Sequence, residues 1–529
     1  MAAPDSAVAV DYAQAMRMDP VLPGDWLLVA PLLITLLGGA LCLMARKNTQ
    51  SQPKIAIIFL VLLVLACGGL LARVLDKGVI TLVAGGWLPP FGIAFTVDAL
   101  GATLAFTSSI VALAAAVYGI SDVDHSGRRY GFYPFLLLLL TGVCGAFLTG
   151  DIFNLYVWFE VLLISSFGLL ILGNERAQLD GAVKYAILNI IATTLFLIAT
   201  GLLYGIVGTL NMADIAIKVR AVEADGPLMT VAVLYFMAFA MKAAAFPVNF
   251  WLPASYHTPR IVIAAVFAGL LTKVGVYALL RIFGIILPDA RLALDDLIAV
   301  VAIATMLTGV LGALAQTDVR RLLGYLVISG IGSMLAGLAI GTTPALSGAI
   351  FYAVHSILVM TALYMAAGMM RALGGSYSLR ELGGLYRASP AFAGVFLMLG
   401  FAVAGLPPFS GFWPKVILVD AALVGGHGWI AAAILLTGLL TTIAVGRVWI
   451  YAFWRGGPEG TADGQMTALA APAPGTVGAN VWLPLGLLLG LVVLIGLQPE
   501  FMMQISGRGG AGLSDATGYL RSVFGDTVQ

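Results

Sequence analysis

Five ionisable side chains lie near the middle of long apolar segments, where a charge is expensive. They are Glu160, Lys242, Lys273, His355 and Lys415. Each charged residue at the centre of a membrane-spanning helix costs roughly 2.5–3.5 kcal/mol on insertion scales. A single one of them could form a structural ion pair, and His355 alone could be a hydrogen-bonded core histidine. Five such groups at similar depth on five segments indicate a function that needs them.

The residue types in this row are suited to proton transfer. Burial in a medium of low dielectric constant favours the neutral form of a lysine, and a nearby carboxylate favours its charged form. Histidine changes its charge near neutral pH. A movement of Glu160 toward or away from Lys242 would therefore load or unload a proton. The pattern predicts a proton relay that crosses five segments at mid-depth.

Two proline-containing motifs interrupt apolar segments beside two of these lysines. Residues 246–253 read FPVNFWLP, shortly after Lys242, and residues 407–414 read PPFSGFWP, directly before Lys415. Both motifs contain a proline, then Phe-Trp, then another proline. Paired broken segments in two halves of a chain are typical of transporters built from a repeat, in which unwound backbone lines a polar cavity.

The composition excludes several classes of protein. Only 10% of the 529 residues are charged, 27 basic and 26 acidic, and 61% are hydrophobic. Soluble domains carry about 25% charged residues, so a soluble globular protein and a disordered chain are both excluded. The formal net charge of +1 gives no support for binding to nucleic acid. The three cysteines form no CxxC pair, and neither a Gly-rich phosphate loop nor a nucleophile elbow is present. We therefore expect no cofactor, no metal site and no enzymatic activity.

The apolar segments, each near the roughly 20 residues that span a bilayer, predict an all-α polytopic membrane protein. Residues 391–425 are too long for one straight helix and contain three prolines, so we interpret them as one broken helix. Residues 456–480 are predicted to form a flexible inner loop, and residues 500–529 a polar tail with a short surface helix. The segments are 27–45, 55–72, 96–120, 131–149, 151–173, 181–207, 228–252, 261–287, 294–315, 322–341, 345–370, 391–425, 428–453 and 481–499.

Charged residues near the segment ends indicate the orientation of the chain. With the N-terminus outside, the inner loops hold more Lys and Arg than the outer loops, in agreement with the positive-inside rule. Both termini are then predicted on the outer side. Arg281 and Arg447 lie toward helix ends, where we expect their side chains to snorkel to the interface. Asp98 and Asp151 begin apolar segments and are expected to cap helix N-termini.

Two stretches resemble a known family. They are LTGDIFNLYVWFEVLLISSFGLLILG at 148–173 and MKAAAFPVNFWLPASYHTPRIVIAAVFAGLLTKVGVYALLRIF at 241–283. Both are similar to signatures of the proton-pumping and antiporter-like subunits, a family shared by Mrp multisubunit cation/proton antiporters and the membrane arm of respiratory complex I. The resemblance covers about residues 90–455. Within the family, TGDIFNLYVWFEVLLISS is most similar to the D-type subunits of Mrp Na⁺/H⁺ antiporters.

The resemblance implies a fold of about fourteen transmembrane helices. Spans 4–8 and spans 9–13 would form two inverted five-helix repeats, with broken helices at spans 7 and 12. It divides the chain into N-terminal helices at 1–130, a first repeat at 131–290, a second repeat at 291–455, and a remainder at 456–529 that contains the inner loop, span 14 and the outer tail. It assigns the family's ionisable positions on spans 5, 7, 8, 11 and 12 to Glu160, Lys242, Lys273, His355 and Lys415.

The function implied by the resemblance is that of a proton-translocating subunit of a Na⁺/H⁺ antiporter in the bacterial plasma membrane. Its partners would be subunits of the Mrp A, B, C, E, F and G types, with membrane lipid, protons and Na⁺. His257 could assist proton entry or simply cap a loop, and Asp420 could serve proton exit. Two alternatives stay open: a proton-pumping membrane-arm subunit of complex I or a related membrane-bound hydrogenase, and a scaffold that only holds partners in place.

Overall fold

The structure, a computed structural model, describes residues 21–89, 91–222, 226–459 and 477–525. The described residues are largely α-helical. The helices are α1 (Ala30–Met44), α2 (Ser51–Lys77), α3 (Ala99–Asp122), α4 (His125–Tyr130), α5 (Phe132–Leu148), α6 (Ile152–Leu170), α7 (Arg176–Val207), α8 (Met212–Val219), α9 (Pro227–Ala243), α10 (Trp251–Ser255), α11 (Ile261–Arg281), α12 (Pro288–Ala293), α13 (Asp295–Ala315), α14 (Val319–Ile340), α15 (Thr343–Gly374), α16 (Leu385–Ala388), α17 (Pro390–Ala404), α18 (Phe412–Val424), α19 (Gly428–Val448), α20 (Ala479–Leu497), α21 (Glu500–Ser514) and α22 (Thr517–Phe524).

Ten helical segments within the described residues are long and apolar enough to cross a membrane. Four shorter apolar helices accompany them: α1, α5, α9 and α17. The last two of these end at the predicted breaks. Helix α9 ends at Ala243 and α10 begins at Trp251, whereas α17 ends at Ala404 and α18 begins at Phe412. The chain therefore leaves the helical conformation at the two Pro-Phe-Trp motifs, as the sequence predicts.

One element departs from the expectation of an all-α protein. Strands β1 (Ile80–Val83) and β2 (Ala94–Val97) form an antiparallel hairpin, with Ile80 opposite Val97. An isolated bridge joins Phe95 to Thr149, and another joins Asp151 to Asn211, so several helix ends meet beside the hairpin. We call this the hairpin side. Helix α3 runs from it to the opposite side over 24 residues, or roughly 36 Å at 1.5 Å per residue. That length fits the hydrocarbon core of a bilayer, about 30 Å thick.

The helices at the centre of the bundle are buried on all sides. Every residue of α11 is buried, and so is nearly every residue of α14. Helices α7 and α20 instead expose one apolar face, as helices in contact with lipid do. Helix α11 packs against both α9 and α15, and α15 packs against α18. The four helices that carry the predicted lysines and the histidine therefore form a continuous series.

The C-terminal residues form more helical structure, and more contacts with the bundle, than the sequence predicts. Where we expected a polar tail with one short surface helix, the structure has α21 and α22, both on the hairpin side. Ser506 on α21 shares a 3.1 Å hydrogen bond with Ser347 on α15, and the hydroxyl of Ser522 on α22 lies 2.8 Å from that of Thr81 on β1. The loop predicted at 456–480 lies mostly outside the described residues.

The predicted snorkelling of Arg281 is wrong. Its side chain is fully buried and donates two hydrogen bonds to Asp98, at 2.7 and 2.9 Å. Helix α22 covers this end of α11 and brings the Tyr519 ring within 5.3 Å of the guanidinium, so Arg281 is shielded from water. Asp98 also accepts a 2.9 Å hydrogen bond from the Gly101 backbone, which confirms its predicted capping role.

Asp151 and Arg447 are the other two residues near helix ends for which the sequence made a prediction. Asp151 caps α6 by accepting a 2.7 Å hydrogen bond from the Asn154 backbone, as predicted. Arg447 is half-buried and donates to the carbonyl oxygens of Leu314 and Gln316, at the end of α13. Its guanidinium therefore satisfies backbone acceptors of a neighbouring helix end.

Candidate functional site

Lys242 lies in the last turn of α9 and is buried, with 2% of its surface exposed. Its ammonium donates a hydrogen bond of 2.9 Å to the Oδ1 atom of Asn189 on α7. The ring centroids of Phe159 and Tyr185 each lie 5.9 Å from Nζ, so two aromatic faces are available to a charged lysine. Sequence reasoning missed Asn189, although an amide within the apolar run 181–207 was a signal that could have identified it.

Glu160 lies on α6 and is half-buried. Its helix is held beside α9 by the rings of Phe159 and Phe239, whose centroids are 5.8 Å apart. The residue before Glu160, Phe159, has its ring centroid 5.9 Å from the Lys242 ammonium. Within the part of the chain that the structure describes, however, no ion pair of 4.0 Å or less includes either residue. In this conformation the lysine is bound to an amide instead of a carboxylate, and the approach of Glu160 stays a prediction.

Lys273 lies at the centre of the bundle on α11, with 1% of its surface exposed. Its ammonium donates a 2.7 Å hydrogen bond to the carbonyl oxygen of Ala268 in its own helix. Gly275, one half-turn further along α11, lies against the end of α9. A Cβ atom at Gly275 would lie 2.8 Å from the backbone nitrogen of Ala243, so only glycine permits this contact. The helices of Lys242 and Lys273 therefore touch through their backbones.

His355 lies on α15 and contacts the second break directly. Its Nδ1 atom is 2.8 Å from the hydroxyl oxygen of Ser410, and the residue is 1% exposed. Gly411, the next residue in the break, has no room for a side chain. A Cβ atom there would lie 2.9 Å from Nε2 of His355 and closer still to the carbonyl oxygen of Ala402. The histidine is therefore packed against unwound backbone.

Lys415 lies in the first turn of α18, after the second break, and is half-buried. It donates a 2.6 Å hydrogen bond to the carbonyl oxygen of Ala404, the last residue of α17. The interrupted helix leaves such carbonyl groups without a partner in their own helix. Lys415 also lines a small cavity with the hydroxyl-bearing residues Ser329, Ser333, Tyr352, Thr437 and Thr441. This lysine thus supports the break and faces a small polar space.

Neighbouring helices satisfy the first and second breaks in different ways. At the first, the Phe246 backbone donates a 2.9 Å hydrogen bond to Thr305, and the Asn249 amide donates a 3.0 Å bond to Thr308, both on α13. At the second, Trp413 donates a 2.8 Å bond from its indole to the carbonyl oxygen of Gly496 on α20. Polar groups of the broken segments are thereby paired within the bundle, as spanning segments require.

The two flanking candidates lie outside the buried row. His257 follows α10 on the side opposite the hairpin, with its Nδ1 atom 2.9 Å from the carbonyl oxygen of Pro253. Arg321 donates a 3.0 Å hydrogen bond to its Nε2 atom. Burial and the neighbouring Arg321 lower the pKa of His257 below its ordinary value. Asp420 is exposed on α18, near the hairpin-side end of that helix. The structure does not bring either residue into contact with the lysines.

These features define a multi-pass membrane protein with a row of buried and half-buried ionisable side chains beside two broken helices. The chain belongs to the NADH:quinone oxidoreductase/Mrp antiporter transmembrane family, whose model matches residues 149–441. It is 38% identical over 498 residues to the D subunit of the Na⁺/H⁺ antiporter of Alkalihalophilus pseudofirmus, covering 94% of this chain and 99% of that one. It is 37% identical over 463 residues to the D subunit of the Na⁺/H⁺ antiporter of Bacillus subtilis, covering 88% and 93%.

Solved structures agree with this assignment. A chain of the Mrp complex from a Dietzia species superposes with a TM-score of 0.86 at 29% identity, over 96% of this chain and 100% of that one. A chain of the membrane-bound sulfane sulfur reductase, an archaeal respiratory membrane complex, gives a TM-score of 0.85 at 25% identity, over 94% and 100%. A chain of respiratory complex I from Thermus thermophilus shares the fold, with a TM-score of 0.79 at 22% identity, over 92% and 100%.

Proposed function

We propose that this chain is the proton-translocating subunit of a multisubunit Na⁺/H⁺ antiporter. One observation carries the proposal: Lys242, Lys273, His355 and Lys415 are placed on successive packed helices, and none of the lysines has a carboxylate within ion-pair distance in the described residues. A buried lysine without a counter-charge can give up its proton. The names of the relatives support the assignment to a complex that exchanges Na⁺ for H⁺.

In the proposed mechanism, Glu160 and Lys242 act as the switch of the relay. When the carboxylate approaches, the charged lysine is favoured, and when it withdraws, desolvation favours the neutral amine. The released proton passes by way of Lys273 on α11 to His355 on α15 and then to Lys415 on α18. The contacts between these helices support this order. His257 would serve proton entry from one side and Asp420 proton exit on the other.

The proposed topology has fourteen spans, including two inverted repeats at spans 4–8 and 9–13. It is supported by the ten long and four shorter apolar helices of the described residues. Both termini would lie on the outer side of a bacterial plasma membrane. The hairpin side would then face outward and His257 inward. The partners would be antiporter subunits of the Mrp A, B, C, E, F and G types, with Na⁺ and protons as the transported ions.

Expression with and without the partner genes tests this function. Everted vesicles from a strain that lacks its Na⁺/H⁺ antiporters would be loaded with a pH-sensitive dye, and Na⁺ would be added. We expect exchange only when the whole set of subunits is expressed. Vigorous exchange by this chain alone would overturn the requirement for partners.

The structural similarity to the sulfane sulfur reductase chain, at a TM-score of 0.85, favours a second candidate, a proton-pumping subunit of a complex I-type or hydrogenase-type enzyme. The two functions differ in their partners. An affinity tag on this chain should purify antiporter subunits if the first proposal holds. Recovery of subunits that bind iron–sulfur clusters or quinones would support the second. Normal exchange by a Lys242→Ala complex would instead leave a scaffold role.

A further inference from the structure

The buried amide of Asn189 is the direct partner of the proposed relay's first lysine. We infer that Asn189 is a positioning residue, which holds the Lys242 ammonium against α7 and away from Glu160 in one state of the switch. The inference rests on the proposed function, because it specifies how that switch keeps its two positions. The two residues are 53 positions apart in the sequence, and each is only 2% exposed.

The orientation of the amide supports this role. The Nδ2 atom of Asn189 donates a 2.8 Å hydrogen bond to the carbonyl oxygen of Tyr185, one turn earlier on α7. That bond leaves Oδ1 directed at the lysine, at 2.9 Å. Both the ammonium and the neutral amine of a lysine can donate to an amide oxygen. Asn189 therefore holds Lys242 in either protonation state.

An amide suits this position because it is a neutral acceptor. A carboxylate at the same place would favour the charged lysine and resist loss of its proton. An apolar side chain would leave a buried ammonium without a hydrogen bond, which is costly. Asparagine lies between these extremes. It gives the lysine a defined place without a counter-charge, so that the approach of Glu160 decides its protonation.

Two aromatic rings lie close to the Lys242 ammonium, one on each of two neighbouring helices. Tyr185, on the same helix as Asn189, flanks the ammonium on one side, and Phe159, the neighbour of Glu160, flanks it from α6. Because Phe159 directly precedes Glu160, a swing from Asn189 to Glu160 would take the ammonium from α7 toward α6. The titratable residues on the helices packed around α9 are Arg176, Asp180, Lys184, Tyr185 and Tyr204 on α7, Lys273, Tyr277 and Arg281 on α11, and Asp289 and Arg291 on α12. Helix α6, which contacts α9 through the Phe159 and Phe239 rings, carries Tyr156 and Glu160.

Three substitutions in the complete complex test the inference, with exchange measured across the pH range in which the wild-type complex is active. Asn189→Asp should lower exchange about tenfold or more at neutral pH and move the remaining activity to higher pH, because the ion pair releases its proton less readily. Asn189→Ala should move the pH profile in the opposite direction, because the charged lysine loses its acceptor. Asn189→Gln retains the amide and should recover most of the exchange.

Thr200→Val provides a matched control. Thr200 lies on the same helix and shares a 3.1 Å hydrogen bond with Tyr235 on α9, so this variant removes a contact between the same two helices without touching the lysine. We expect its pH profile to match the wild type. A purely structural Asn189 would give less assembled complex in its variants with no change in pH profile.

The outcomes separate this inference from the proposed function. If Asn189→Asp does not assemble, the direction of the Asn189→Ala profile decides. Wild-type pH profiles in both variants, with Lys242→Ala inactive, would overturn the role of Asn189 and leave the relay intact. An active Lys242→Ala complex would overturn the relay itself.

Discussion

Arg281 and Asp98 lie 183 residues apart and form a buried, bidentate ion pair, with N–O distances of 2.7 and 2.9 Å. The pair joins the last residue of α11 to the N-cap of α3. Arg281 also donates a 3.1 Å hydrogen bond to the hydroxyl group of Tyr277, whose own hydroxyl donates to the carbonyl oxygen of Phe147. The helix of Lys273 is therefore fixed at its hairpin-side end by charge as well as by packing.

Asp98→Asn should destabilise the folded chain strongly. Asparagine retains the cap but removes the counter-charge of Arg281, and breaking a buried pair in this way typically costs about 3–5 kcal/mol. Adding Arg281→Met to Asp98→Asn should recover much of the loss, because no buried charge then remains unpaired. The measurement is the melting temperature of the detergent-solubilised complex. Equal melting temperatures for Asp98→Asn and the wild type would contradict this prediction.

Lys242→Arg should stop exchange as completely as Lys242→Ala. A guanidinium keeps a positive charge at this position but cannot release its proton at any accessible pH. Glu160→Ala should also reduce exchange to background with the complex assembled, because the lysine then loses the carboxylate that would reload it. Glu160→Asp keeps the charge with a shorter reach, so partial exchange is expected. The assay is dye quenching in everted vesicles, with subunit amounts checked by immunoblot. Wild-type exchange by Lys242→Arg would make the lysine a fixed charge.

Lys415 makes one observed hydrogen bond and has one proposed role, and substitutions can separate the two. It donates to the Ala404 carbonyl at the second break, and we propose that it also titrates. Lys415→Gln can still donate that hydrogen bond but cannot titrate, so the complex should assemble and exchange should be lost. Lys415→Ala should lose both functions, whereas the titratable Lys415→Glu should retain some exchange. Near-normal exchange by Lys415→Gln would reduce the lysine to support of the break.

His257 should make stability depend on pH. Its pKa is lowered in the folded chain, through burial and Arg321, so the unfolded state binds the proton first as the pH falls. The folded state should therefore lose stability as the pH falls below the ordinary histidine pKa of about 6.5. His257→Gln should remove that part of the pH dependence, and Arg321→Gln should weaken it. Melting temperatures measured on both sides of that pKa provide the test. Identical pH dependence in His257→Gln and the wild type would exclude His257 as its source.

The positions of the ionisable row could be predicted because a charged residue within an apolar run is a local signal. The breaks beside Lys242 and Lys415 could be predicted for the same reason, since proline acts on its own helix. The hydrogen-bond partners of these residues could not be predicted from the sequence. Asn189 reaches Lys242 only because α7 and α9 pack together, and Ser410 reaches His355 only across the second break. Contacts between segments that are distant in the sequence leave no periodic pattern from which they could be predicted.

The position of Arg281 near a helix end was predicted correctly, but the predicted environment of its side chain was wrong. Its place near a helix end predicts access to the interface, but α22, more than 200 residues later, covers that end.

The hairpin of β1 and β2 was missed for a different reason. Each strand has only four residues, ITLV and AFTV. The first lies in the loop between two predicted apolar segments, and the second overlaps the start of the next segment, so neither shows a strand pattern of its own.

The backbone contact at Gly275 limits how closely α9 and α11 can approach each other. Because α9 and α11 already touch at Ala243, these two helices cannot come closer together. A shorter distance between the nitrogen atoms of Lys242 and Lys273 must then come from rotation about the side-chain bonds, or from one helix turning or sliding along the other. In the proposed relay, the reach of these two flexible four-carbon side chains would therefore count for more than any compression of the helix pair.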